Sequence, residues 1–188
     1  MRISPTLHRD IHRKPRGFTL VEILVVVIII GIASAVVVPS LGTHNDLNVA
    51  SAARTVVADL IYAQNRAILS QTMRYVKIDS VAQSYSILTC APNVSPLTFE
   101  QNPTSLQYYI TSFGAAAAQG AFQTVQLLAA NADGKTCLAF DELGQPYACD
   151  SATGVTTMLV NRAAIPVQCG TFILTVYVEP YTGALSVQ

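Results

Sequence analysis

The sequence predicts an α+β protein in which a long N-terminal helix, apolar enough in its first half to span a bilayer, packs on an antiparallel β-sheet head. Three observations predict it. Residues 18–41 read FTLVEILVVVIIIGIASAVVVPSL, an apolar run broken by one charge, Glu22. From Leu47 to Ile68 apolar residues recur close to the i, i+3, i+4, i+7 spacing of an amphipathic helix. From Met73 the period falls to two and turn residues recur, and one helix followed by many strands is the order of an α+β fold.

The apolar run comes first. At about 1.5 Å per residue its apolar part spans roughly 30 Å of hydrocarbon. A carboxylate inside such a segment costs about 2.5 kcal/mol or more to insert, so Glu22 is expected to neutralise an opposite charge, best an amine from another copy or a sister subunit. Before the run lie Arg2, Arg9, Arg13, Lys14 and Arg16 against Asp10 alone. A basic flank of this kind holds its end in the cytoplasm, which places everything after Leu41 across the membrane. Pro5 and Pro15 argue against stable structure in the flank, and His8 and His12, spaced i and i+4, read as solvated leader rather than a metal pair. Ala33-Ser34-Ala35 is the nearest imitation of a signal-peptidase site, and no clear polar mature start follows it.

These residues carry a family resemblance. Gly17-Phe18-Thr19-Leu20-Val21-Glu22, with a basic flank before it and an apolar helix and Pro39 after it, resembles the class III signal of type IV pilins and type II secretion pseudopilins. The alternative is an ordinary signal anchor whose Glu is incidental. The resemblance implies cleavage between Gly17 and Phe18, N-methylation of Phe18, and pairing of Glu22 with a neighbouring subunit's terminal amine. It also implies the partners: a prepilin peptidase/methyltransferase, the other pseudopilins or pilins of one filament, and the bacterial inner membrane, crossed once with the head in the periplasm.

With 188 residues the chain is long enough for one domain beyond the anchor. The division expected is leader 1–17, transmembrane and assembly helix 18–41, amphipathic continuation 42–70 and β-rich head 71–188. Formal charge is zero over 11 basic and 11 acidic residues, and removal of the leader leaves 6 against 10, a mildly acidic mature chain. Pro39 removes a backbone donor and Gly31 and Gly42 loosen the helix, while Asn45 or Asp46 could cap a restarted segment. Leu47, Ala50, Ala53, Val57, Leu60, Ile61, Gln64, Ala67 and Ile68 form the stripe expected to face a sheet, with Arg54, Asp59, Asn65 and Arg66 turned away from it.

Strands are expected at 74–79 and 84–89 as a hairpin, then at 124–128, 136–140, 146–149, 157–160, 171–178 and 184–187. Asp141-Glu142-Leu143-Gly144 and Tyr181-Thr182-Gly183 supply turns. Pro92, Pro96 and Pro103 mark a loop that re-enters the core at Tyr108, Tyr109, Ile110 and Phe113. The tract from Gly114 to Gly120 reads as a flexible excursion, not a helix, because glycines bound it. The helix 52–68 leading directly into a strand, Phe140-Asp141-Glu142-Leu143-Gly144 and Val178-Glu179-Pro180-Tyr181-Thr182-Gly183 are similar to the GspH/FimT-like branch of minor pseudopilins. No resemblance covers the segment from Cys90 to Leu128.

Cys90, Cys137, Cys149 and Cys169 all fall in the head, and an even count in an oxidising compartment permits two disulfides in any of three pairings. None of the spacings is C-x-x-C, which favours a structural role over a metal site. Cys137 and Cys149 flank the hairpin around Gly144 and are the first pair expected. No enzyme constellation is present: His44 is the only histidine after the leader, no phosphate-binding glycine motif occurs, and no cofactor or metal is expected. Asp133, Asp141, Glu142 and Asp150 could hold Ca²⁺, but a solvated turn with surface acids is the favoured reading.

The function expected is a minor pseudopilin, a structural part of the periplasmic pseudopilus of a type II secretion system. The competing reading is a minor pilin of a type IV pilus, including a relative acting in DNA uptake. Nucleic-acid binding needs clustered Lys and Arg, and after Lys77 only Lys135 and Arg162 remain.

Overall fold

The structure, a computed structural model, describes residues 17–40, 45–103, 105–117 and 121–188, without the side chains of 34–40 and 121. The readings made for residues 1–16, Gly42, His44 and the end of the alanine tract lie outside the described residues. The chain divides into two compact units, Met1–Thr43 and His44–Gln188.

The first unit contributes helix α1, Leu20–Ser40. Thr19 starts it: its hydroxyl accepts a hydrogen bond from the Glu22 amide at 3.2 Å, and its carbonyl accepts one from the Ile23 amide at 3.2 Å. Thr19 to Glu22 therefore reads T-x-x-E, the pattern in which a threonine satisfies an orphan donor of the first turn. The helix runs past Pro39, and among the described residues no helix is long and apolar enough to cross a membrane.

Among the described residues the second unit is built on helix α2, Asn45–Ser70, and ten strands. Strands β1 (Arg74–Asp79), β2 (Ser84–Leu88), β3 (Ile110–Ser112), β5 (Cys137–Phe140), β6 (Pro146–Cys149) and β7 (Thr156–Met158) form a six-stranded sheet in the order β3-β2-β1-β5-β6-β7. Strands β4 (Gln126–Leu127), β8 (Ala163–Cys169), β9 (Phe172–Val178) and β10 (Leu185–Val187) form a second sheet in the order β10-β9-β8-β4. Every pairing is antiparallel. The α+β class is borne out, with two sheets where one was expected.

Helix α2 packs against β8 and β9 of one sheet and β1 and β5 of the other. Its buried face is Val49, Ala52, Ala53, Val56, Asp59, Leu60, Ala63 and Ala67, rotated from the stripe expected. Leu47, Ile61 and Ile68, placed on the inner face by hydropathy, are exposed. The physical reason is size: four alanines on the true face let the helix backbone approach the sheets closely, so the larger residues are left at the margin. The helix stops at Gln71, whose φ of 50° is the left-handed conformation of a helix C-terminus.

Strand β8 was not foreseen. Pro166 sits at its centre, and a proline normally argues against an interior strand. The Pro166 carbonyl accepts the Leu128 amide at 3.0 Å just past the end of β4, so its ring nitrogen also lies on that side, away from β9, and the long pairing with β9 loses no bond. The alanine tract is a second correction, since Gly114–Ala116 forms a 3₁₀ turn where no helix was expected.

The two glycine turns named in the sequence meet on one side chain. Gln64 Nε2 donates to the Gly144 carbonyl at 2.8 Å, and a Cβ built on Gly183 would lie 2.5 Å from Gln64 Nε2 and 2.9 Å from the Gly144 oxygen. Gly183 has φ +66° as well. Gly183→Ala combines a backbone clash with about 1 kcal/mol of left-handed strain. We expect about 2 kcal/mol or more of lost stability, read as a lower urea midpoint at unchanged slope. A midpoint within error of wild type would show that the turn does not hold Gly183 as described.

Candidate processing and assembly site

Gly17 and Phe18 precede helix α1 and are exposed. A Cβ on Gly17 would meet nothing within 4 Å, and Phe18 is 76% exposed. The Gly17–Phe18 bond therefore lies in irregular, accessible backbone, as hydrolysis by a peptidase requires. Beyond it α1 is apolar on every side. Leu20, Val21, Ile23 to Ile30 and Ile32 are each between 45% and 84% exposed. A helix apolar all round is one that is covered in its working state. Glu22 is exposed, three residues into the helix and acidic in its first turn, where a carboxylate complements the helix dipole. Among the described residues no salt bridge involves it.

The head carries its chemistry along one line of α2. Asp59, expected to point away from the core, is 8% exposed. The Tyr85 hydroxyl donates to it, as do Tyr109 at 2.6 Å and Thr111 at 3.0 Å. A carboxylate can be buried there because three hydroxyls replace its water. Burial and the neighbouring carboxylate push the Tyr85 and Tyr109 hydroxyls well above the ordinary tyrosine range. One turn on, Tyr62 stacks on Tyr109 with ring centroids 4.8 Å apart. Another turn on, Arg66 meets Glu100 at 2.7 Å, and Glu100 also takes Arg74 at 2.9 Å. Asp59, Tyr62 and Arg66 thus strap the excursion 99–111 down on the helix.

Arg74 and Glu100 are nearly fully buried, with side chains 8% and 5% exposed. Glu100→Ala would leave the Arg74 guanidinium buried without a counter-charge, its remaining hydrogen bonds going to Thr72 and Met73. Removing one partner of a buried pair costs about 3–5 kcal/mol, far more than a surface pair is worth. Calorimetry should show a correspondingly lower Tm, and a wild-type Tm would mean that Arg74 finds water or another acceptor.

The remaining sequence candidates separate. Asp133 accepts the amides of Val160 and Asn161, Asp141 those of Leu143 and Gln145, and Asp150 those of Ala152 and Thr153. Each acid caps a different loop. Among the described residues no cluster of His, Cys, Asp or Glu could hold a metal ion. The structure brings Cys137 and Cys149 opposite each other on β5 and β6. It places Cys90 beside Thr98, and Cys169 against Asn45 and Thr124. All four are free thiols here. Sequence reasoning missed the roles of Asp59 and Glu100, for which the only signal was an isolated acid within or beside apolar residues.

Residues 12–38 match the family model of the prokaryotic N-terminal methylation motif. No curated protein sequence matches the chain. Among solved structures, the minor pseudopilin EpsH from the type 2 secretion system of Vibrio cholerae superposes with a TM-score of 0.51 at 14% identity, over 75% of this chain and 96% of that one. A second structure of the same minor pseudopilin gives a TM-score of 0.52 at 14% identity, over 77% and 95% of the two chains. The chain carries a prepilin-type methylation motif and has the fold of a minor pseudopilin.

Proposed function

We propose that this chain is a minor pseudopilin, processed between Gly17 and Phe18, methylated on Phe18, and assembled into the periplasmic pseudopilus of a type II secretion system. The single observation that carries the reading is the union in one chain of the methylation motif over residues 12–38 with a head of minor-pseudopilin fold. The match covers 75% of this chain and 96% of the solved relative.

The physical argument for anchoring is one of magnitude. Each Val, Leu or Ile withdrawn from water contributes about 1.5–3 kcal/mol, so the exposed apolar side chains of α1 together favour burial by on the order of 20 kcal/mol. Inserting the Glu22 carboxylate costs about 2.5–3.5 kcal/mol. Apolar burial wins, and the segment enters the inner membrane with its charge. In a filament the same side chains are buried against neighbouring helices, so transfer from lipid to filament changes apolar burial little. The pairing of Glu22 with a neighbour's Phe18 amine then decides register and order of addition.

Deletion of this chain in its own host tests the role. Loss of protein secretion into the medium, restored by the wild-type chain, is the expected outcome. Normal secretion with loss of surface pili or of DNA uptake would replace this reading with that of a type IV minor pilin.

A further inference from the structure

The face of the six-stranded sheet turned away from α2 holds a small apolar cluster of its own. Cys137, Ala139 and Cys149 are fully buried there under Met73, Tyr75 and Tyr147. Their strand neighbours Leu138, Phe140 and Ala148 point the other way, into the main core. Cys137 on β5 and Cys149 on β6 are register partners, so both thiols leave the sheet on one side. The register is held from the hairpin end, where the Asp141 amide donates to the Gln145 carbonyl and the Asp141 carboxylate caps the turn. Residues directly opposite on antiparallel strands have Cα atoms about 4.5 or 5.5 Å apart. Both spacings fall within the roughly 4.4–6.8 Å that a disulfide spans without backbone movement.

The two thiols also differ in character. A hydrogen bond from Cys137 holds Cys149 below the ordinary thiol range, with Lys135 contributing, while the same contact and burial push Cys137 up. One member of the pair is thus the readier nucleophile. Cys90 and Cys169 have no such partner: Cys90 lies in the loop just past β2 of one sheet, Cys169 ends β8 of the other, and each contacts other groups.

We propose that in the mature protein Cys137 and Cys149 are joined as a disulfide that staples the β5–β6 hairpin, while Cys90 and Cys169 remain thiols. The oxidant is a disulfide of the extracytoplasmic compartment, carried by a protein or a small thiol. The Cys149 thiolate attacks one sulfur of that disulfide and expels a thiolate, giving a mixed disulfide. Cys137 then attacks the Cys149 sulfur, its proton passes to a departing thiolate, and the second thiol leaves. The oxidant gains two electrons and two protons and the pair loses them.

This inference rests on the periplasmic placement proposed above. The full chain is therefore extracted from cells whose thiols were blocked before lysis, digested without reductant, and mapped by mass. The same sample reports the mature N-terminus. Expected is one linked peptide pair containing Cys137 and Cys149, lighter by the two thiol hydrogens and lacking both alkyl groups, with Cys90 and Cys169 alkylated. Cys137 and Cys149 recovered as separate alkylated thiols, or linked to Cys90 or Cys169, overturn the proposal. A chain that starts at Phe18 in that case keeps the proposed function, and one that starts at Met1 loses it as well.

Discussion

Gly17→Val leaves the leader attached. The substitution adds a branched side chain at the residue whose carbonyl is to be attacked, in backbone that is otherwise open. Peptide hydrolysis depends on the placement of that carbonyl, and misplacement of a reacting group by about 1 Å costs roughly 100-fold in rate. Such a loss is about 2.7 kcal/mol of barrier. Intact-mass analysis of membrane-extracted protein should show the unprocessed chain as the main species, against a wild type that starts at Phe18. A wild-type start in the variant, or any other start in the native chain, would remove the processing reading. The uncleaved chain also has no amine at Phe18, so it cannot supply the positive partner for a neighbour's Glu22 even where it reaches the membrane.

Glu22→Ala separates insertion from assembly. Removing the carboxylate makes the apolar segment easier to insert by about 2.5 kcal/mol or more, so the variant should reach the membrane fraction at least as well as wild type. Crosslinking to the other pseudopilins should nevertheless fall by at least about 100-fold, because a neighbour's amine would be buried without a counter-charge at a cost of about 3–5 kcal/mol. Glu22→Gln keeps the shape and discriminates charge from packing: near-normal crosslinking would mean that packing sets the register. The Glu22 amide bond to Thr19 survives both substitutions because it is made by the backbone. Thr19→Val provides the control, costing about 1 kcal/mol of helix start while leaving the carboxylate in place. Wild-type crosslinking by both Glu22 variants would end the ion-pair mechanism.

What could be read from sequence follows the range of the interactions involved. The β1 and β6 ends and both glycine turns were legible because alternation and turn chemistry act over a few residues. The rotation of α2 was not, since it depends on how closely a helix of alanines approaches two sheets rather than on how hydrophobic each residue is. Strand β8 was hidden by Pro166, which is tolerated because its ring nitrogen faces away from β9, the strand's long partner. Asp59 looked like an outward-facing acid because its three hydroxyl donors come from residues at least 26 positions away. The candidate site was the reverse case. Its features lie close together in the chain, so Gly17, Phe18 and Glu22 could be named at once, and the Cys137 and Cys149 pair was legible from the Gly144 hairpin they flank, to which the register adds that they stand directly opposite.

The strap along α2 has a mechanical side. Apolar contacts are non-directional and let surfaces slide at little cost, whereas hydrogen bonds weaken steeply once their angle or length departs from the optimum. Asp59, Tyr62 and Arg66 fasten residues 99–111 to the helix at successive turns, two of the three through short polar bonds. Tension drawn along the helix is therefore resisted by the sheet stiffly.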